Sequence, residues 1–254
     1  MSIPQIFNIA IFEPLYNALV FITAHLPGYN IGFAIIFLTL LVRVLILPLS
    51  HKSIKTQAKV RILDSKIKQI REKHKNSQQE QAAEIMKLYK EHGVNPFSGC
   101  LLTIIQIPII FGLYWVFWKG LSQNIINTEL LYSFIIPPEN INFNFLGIFD
   151  LTQSHNIFLA LLAGLSQYFQ MKLAFPKVEV KQKEGATINF SDELKKNMAI
   201  QARYVLPIVI GMVSWGFPGA VPLYWVTSNI FSISHELLVR RSAGHLSHAN
   251  SPQT

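Results

Sequence analysis

A guanidinium is the most consequential chemical group in this chain. Arg43 is the only permanent charge in residues 31–50, IGFAIIFLTLLVRVLILPLS, a run with the length and apolarity of a membrane span. Arginine cannot shed its proton, and placing it there costs about 2.5–3.5 kcal/mol on insertion scales. It therefore requires a partner, a wet recess or a route to the headgroups. Other apolar stretches bring polar groups to comparable depth: Gln106; Gln167 and Gln170; Ser214; then Tyr224, Trp225, Thr227, Ser228 and Asn229. Two readings stand for these. Amides and hydroxyls bond across helices in membrane bundles for about 0.6 kcal/mol each, or they wet a cavity around the arginine.

Arg43 also has a plainer reading. About seven residues at 1.5 Å each separate it from the end of the run, so its side chain can snorkel to the interface. Against that, no span carries a carboxylate to neutralise it, unless Glu236 reaches it from the end of the last one. An uncompensated arginine among amides and hydroxyls suits a recess open to the cytoplasm. Such a recess would admit polar polypeptide segments, above all acidic ones, part of the way across.

Covalent chemistry finds no support. His235-Glu236 is not followed by a histidine at zinc-ligand spacing, no span holds an aspartate pair, and the intramembrane serines lack a basic partner. His245 and His248 lie in a polar tail. No enzyme, cofactor or metal is expected.

The elements that must position these groups follow from hydropathy and charge. Hydrophobic residues make up 50% of the 254 and charged residues 14%, with mean hydropathy +0.32, too apolar for a soluble domain. The expected class is an all-α polytopic membrane protein. Residues 1–30 form an extracytoplasmic or interfacial segment. Within it, 5–26 lacks lysine and arginine and is interrupted by Asn8, Glu13-Pro14 and Asn17. It reads either as a short extra span from Pro14 or, preferred here, as an interfacial amphipathic helix with Phe7, Ile11 and Leu15 on one face. Gly28 and Asn30 form a turn, and Pro48 helps to end the first span, 31–50.

Residues 51–94 reverse the character, with eleven Lys/Arg against five acids, which places them in the cytoplasm. Leu63, Ile67 and Ile70, then Ile85 and Leu88, with a polar break at Asn76-Ser77, predict a helical hairpin. Four further spans with their loops fill 95–239. The second, 97–118, contains Pro108 and ends in the aromatic cluster Tyr114, Trp115, Phe117 and Trp118. Residues 121–156 carry three acids and no Lys or Arg and belong outside. The third span is 157–175, the basic loop 176–200 returns inside, and the fourth, 203–217, is short. The fifth, 222–239, closes on Arg240-Arg241 before a disordered tail, 240–254. This topology puts 20 of the 22 Lys and Arg on the cytoplasmic side, leaving Arg43 and Lys119. The N-terminus is then outside and the C-terminus inside. With one cysteine, Cys100, no intramolecular disulfide forms, and with no N-terminal cysteine or basic n-region no lipidation or cleaved signal peptide is expected.

Four stretches, LTLLVRVLILPLS at 38–50, NPFSGCLLTIIQIPIIFGLYW at 95–115, LAGLSQYFQMKL at 162–173 and FPGAVPLYWVTSNIF at 217–231, resemble the YidC/Oxa/Alb family of membrane protein insertases, in its short bacterial form. The resemblance spans about residues 10–240. It implies a five-helix core with a cytoplasmic helical hairpin after the first span, in the bacterial plasma membrane. It further implies that Arg43 lines a hydrophilic groove receiving nascent membrane proteins, with Gln167 and Trp225 at other groove positions and Gln106 at a polar position of the second span. Gln170 and Asn229 join this candidate binding set from the residue reading. Implied partners are nascent membrane proteins and the lipid bilayer, with the Sec translocon and the ribosome as further candidates and no specific nucleic acid. The sequence departs from the family at Leu102, where proline is usual, and at 220–222, AVP. A large periplasmic domain and a long basic tail are also missing from it. The rival reading, a channel or transporter subunit, predicts paired ionisable groups or inverted repeats, and neither is visible.

Overall fold

The structure, a computed structural model, describes residues 2–74, 77–95, 98–120, 126–174, 197 and 200–249. The loop expected at 176–200 and the last residues of the tail fall almost wholly outside the described residues. The described chain is mostly helical and divides into two compact units. One comprises residues 1–43 and 109–237, the other 44–108 and 238–254. Among the described residues, three helical stretches are long and apolar enough to cross a membrane: Pro4–His25, Ile31–Gln57 and Ile157–Ala174; Ile104–Lys119 is apolar but shorter.

The first unit opens with α1 (Ile3–Phe7), a wide π-helical turn over Asn8–Phe12, and α2 (Glu13–His25). This N-terminal region is thus helical almost without interruption and passes through Pro14, which stands just after the π-helical turn. Phe12, Leu15, Tyr16, Leu19 and Val20 form its buried face, at the three- and four-residue spacing of one helix side. Phe7 and Ile11 are partly buried against the same core. That core also takes Ile31, Ala34, Ile35 and Leu38 of α3 (Ile31–Ile62), and Leu113 of α6 (Ser98–Trp115) with Val116 just beyond it. A Cβ at Gly112 would meet the side chains of Ile11 and Leu15 at 2.8 and 2.9 Å, so the absence of a side chain is what lets the α6 end lie against the N-terminal helix.

Residues 126–156 are folded onto these helices. The buried side chain of Asn17 donates to the Leu130 carbonyl and accepts from the Tyr132 N–H, at 2.9 and 2.7 Å. Tyr16 donates its hydroxyl to the Asn127 carbonyl. Strands β1 (Asn144–Phe145) and β2 (Phe149–Asp150) pair antiparallel, Asn144 opposite Asp150 and Phe145 opposite Phe149. Asn30 does two jobs at the start of α3. Its Oδ1 accepts from the Gly32 and Phe33 N–H groups as a helix cap, while its Nδ2 donates to the Asn144 carbonyl. Gly32 lies directly beneath Phe145.

Helix α7 (Ile157–Ala174) packs closely on α8 (Leu206–Gly216), which follows a π-helical turn at Gln201–Val205. The crossing is made by glycines: a Cβ on Gly164 would stand 3.1 Å from the Pro207 carbonyl, and one on Gly211 3.8 Å from the Gly164 Cα. Small residues of this kind allow helices in lipid to approach backbone to backbone. Buried Arg203 donates to the Lys172 carbonyl near the end of α7. Helix α9 (Ala220–Ala249) begins where its Ala220 N–H meets the Leu151 carbonyl, and it runs past Arg240-Arg241.

In the second unit, α3 does not stop at Pro48; the helix continues through it to Ile62. Proline removes the one N–H that would bond the Val44 carbonyl; two residues on, the Ser50 hydroxyl donates to the Leu47 carbonyl. Helices α4 (Asp64–Lys73) and α5 (Gln78–Glu91) bury Leu63, Ile67, Leu88, Tyr89 and Val94 together, with Ile70 and Ile85 alongside. Ser77 caps α5 by accepting from the Glu80 N–H, and Glu80 meets His74 at 2.8 Å.

Two outcomes test this account. Gly32→Ala would bring a Cβ within 2.7 Å of the Phe145 Cγ, and the overpacking is expected to destabilise the protein by about 1–3 kcal/mol, read as a lower Tm in detergent. Asp150 is partly desolvated, which raises its pKa, but hydrogen bonds from Thr152 and Gln153 outweigh this and hold it below the ordinary carboxylate value. Its stabilising effect is therefore complete above pH about 4 and lost as pH falls through the lower folded value. The Tm difference between the native chain and Asp150→Asn should be present at neutral pH and close on acidification.

Candidate functional site

The polar residues at depth in the first unit sort themselves by helix rotation. On α9, Thr227 donates back to the Leu223 carbonyl of its own helix. One residue further, a turn of about 100°, Ser228 faces α3, and Asn229 faces α7. Arg43 of α3 donates from Nε to Ser228 Oγ at 2.9 Å and from Nη2 to the same oxygen. Asn229 Nδ2 donates to Ser166 Oγ at 3.0 Å and to Gln167 Oε1 at 3.1 Å. Gln167 Nε2 in turn donates to Gln170 Oε1 at 3.2 Å. Consecutive residues of α9 thus tie together three helices, α3, α9 and α7.

The energetics of the two halves differ. In the amide half both ends of Gln167 are engaged, and Gln167 and Asn229 are buried. That is the helix-to-helix glue expected of amides in membrane bundles. In the other half, half-buried Arg43 meets a neutral hydroxyl. Two interhelical bonds at about 0.6 kcal/mol return roughly 1.2 kcal/mol, against an insertion cost of about 2.5–3.5 kcal/mol for the charge. Five N–H donors belong to a guanidinium, and among the described residues a single hydroxyl oxygen receives both of the hydrogen bonds it makes. The arginine reaches across to Ser228, the ninth residue of α9.

The remaining candidates are placed differently. Trp225 stands one turn before Ser228 and Asn229, on the same side of α9, and is buried in an apolar cluster with Ala163 and Val221, against Ile110 and Ile210. It packs the stretch of α9 that carries the two polar residues. Ser214 is buried with no hydrogen-bond partner for its hydroxyl among the described residues. Gln106 lies half-buried on α6 in the second unit. Sequence reasoning named Ser228 only as a polar residue at depth and gave Ser166 no role. The signal that could have singled them out is position: Ser228 adjoins Asn229, and Ser166 adjoins Gln167, so each pair spans two adjoining directions of its helix. Above the network, Tyr114 stacks on Trp118, and the Lys119 ammonium lies 4.3 Å from the Trp115 ring centroid, a contact that lets a cation sit at an aromatic-rich interface.

Comparison with known proteins bears on what such an arrangement belongs to. A family described as "60Kd inner membrane protein" matches residues 21–245. The chain is 34% identical over 218 residues to "Membrane protein insertase YidC" of Oceanobacillus iheyensis, covering 84% of this chain and 75% of that protein. It is 32% identical over 217 residues to the protein of the same name from Clostridium tetani, covering 85% and 84%. A Francisella tularensis subsp. novicida protein of that name is 33% identical over 213 residues, and there the match covers 84% of this chain but only 33% of the relative. The match spans the helices that carry Arg43, Gln167 and Ser228-Asn229, and the chain belongs to the 60Kd inner membrane protein family, the YidC/Oxa family.

Proposed function

We propose that this chain is a membrane protein insertase of the bacterial plasma membrane, acting on nascent proteins without covalent chemistry. Its relatives' name supports the activity. The observation that carries the mechanism is Arg43, a permanent charge within an apolar helix whose bonded partner is a neutral serine. In this reading five spans, 31–50, 97–118, 157–175, 203–217 and 222–239, surround a groove open to the cytoplasm, with the N-terminus outside and the C-terminus inside. Residues 51–94 form a cytoplasmic hairpin whose basic surface meets the emerging segment. The polar flank of that segment descends into the groove, its carboxylates displace Ser228 from Arg43, and a charge-assisted pair replaces a neutral bond.

The groove shortens the apolar path the flank must cross. The hydrophobic part of the substrate then leaves sideways into lipid, where burial of about 20 apolar residues supplies the driving force. A membrane potential positive outside assists acidic flanks by about 2.3 kcal/mol per charge per 100 mV. Gln167, Gln170 and Asn229 hold the wall of the groove in register, Trp225 packs behind it, and Gln106 adds a polar position from α6. The ribosome and the Sec translocon are partners this scheme accommodates through the cytoplasmic loops.

Two variants test it in proteoliposomes, with a single-span test protein carrying an acidic or a neutral flank. Arg43→Ala should cut insertion of the acidic-flank substrate about tenfold, the loss of roughly 1.4 kcal/mol of attraction, and affect the neutral one less; equal insertion by both proteins would remove the arginine from the mechanism. Ser228→Asp should form an internal ion pair with Arg43 and lower acidic-flank insertion to the Arg43→Ala level, whereas Ser228→Ala should leave it intact. Ion flux in the same vesicles, with no insertion, would instead favour a channel.

A further inference from the structure

Residues 126–156 contain a feature that the insertase reading does not use. The hairpin β1–β2 turns through Leu146, Gly147 and Ile148, with Leu146 at φ +55° and Gly147 at φ +70°. Glycine, asparagine or aspartate fits this left-handed backbone readily, and all three suit water; leucine is strained there. Yet Leu146 is 59% exposed and Ile148 75% exposed. A turn facing water would gain on both counts from a polar residue, so strain and exposure together point to apolar surroundings. Phe134 and Ile136, 72% and 85% exposed, flank buried Ile135 nearby in the chain and repeat the pattern.

The roots of the hairpin indicate what those surroundings are. Phe145, just before the tip, is buried over Gly32 and meets Phe33 edge-on at 5.3 Å; Phe149, just after it, stacks on Phe158 at 5.3 Å. Phe33 and Phe158 belong to the first turns of α3 and α7, two of the helices long enough to cross a membrane. Both phenylalanines are exposed, as are Phe37 on α3 and Ile157, Leu161 and Leu165 on α7. The apolar tip is therefore continuous, through ring contacts, with the exposed apolar surface of two helices long enough to cross a membrane, and no Lys or Arg occurs in the segment. Polar Asn144, Asp150 and Thr152 lie at the opposite end of the hairpin, away from the tip.

We infer that the turn Leu146-Gly147-Ile148 is a lipid anchor, inserted among acyl chains of the leaflet at the N-terminal end of α7. It fixes the folded segment 126–156, and with it the starts of α3 and α9, relative to the bilayer surface.

The test uses the full chain in phosphatidylcholine–phosphatidylglycerol liposomes. With Cys100 replaced by alanine, an environment-sensitive dye is placed at Ile148→Cys and, as an exposed control in the same segment, at Glu139→Cys. The dye at 148 should emit to the blue of the control, be quenched by lipids labelled in their acyl chains, and resist aqueous iodide several-fold better. Iodide quenching equal to the control would put the tip in water and overturn the inference. Protection from both quenchers would also overturn it, in favour of cover by a protein, either a second copy or another chain. Leu146→Asn supplies a label-free check with opposite signs. Asparagine relieves the left-handed strain, so a tip in water predicts a higher Tm in liposomes, whereas a tip in lipid predicts a lower one.

Discussion

A permanent charge inside an apolar helix is the constraint on which the rest of this molecule depends. The guanidinium of Arg43 cannot be neutralised by proton loss, and the chain answers it with a serine hydroxyl rather than a carboxylate. A carboxylate would offset most of the cost of the buried charge and also hold it permanently. The hydroxyl offsets only part. On the proposed mechanism that shortfall is the attraction a passing anionic group uses, and stability is given up locally in exchange for it.

Such a compromise requires the surrounding helices to be held by other means. They are: α9 is tied to α7 through Asn229, Ser166 and Gln167, α7 is pressed onto α8 through Gly164 and Gly211, and Trp225 closes the apolar side. At the other end of α3, Asn30 joins the helix cap to the β1–β2 hairpin. The bond between Arg43 and Ser228 is thus set among helices joined by other contacts. On the proposed mechanism, a loosely packed bundle that let α3 rotate would lose the attraction.

Much of this was legible in the sequence, for reasons that differ by residue. Arg43 was readable because a lone charge in an apolar run is a strong signal against a quiet background. The apolar sets at Leu63, Ile67 and Ile70 and at Ile85 and Leu88 were readable from their spacing, and these residues do pack together. The division of labour between Thr227, Ser228 and Asn229 was not, since it depends on the rotation of α9 relative to two neighbours, and a step of one residue swings a side chain by about 100°. Pro48 read as a terminator because proline breaks most helices, yet α3 runs through it. The β1–β2 hairpin has strands of two residues, too short for any alternation to register, and its folding rests on contacts with Gly32, Asn30 and Phe158 that lie far away in sequence.

The two halves of the polar network illustrate why residue type at depth does not by itself assign a role. Gln167 and Arg43 are both polar groups in spanning helices, and both bond to α9. Gln167 is an amide whose donor and acceptor are each engaged, on Gln170 and on Asn229, so a substrate gains little by approaching it and would have to break existing bonds to do so. Arg43, among the described residues, makes both of its bonds to one oxygen, which engages two of its five N–H donors. A ligand competes for a group according to what that group gives up, and a neutral hydroxyl is a weaker acceptor for a guanidinium than a carboxylate. On the proposed mechanism the amides are therefore the frame and the guanidinium the working part, a distinction that rests on the balance of donors and acceptors around each group.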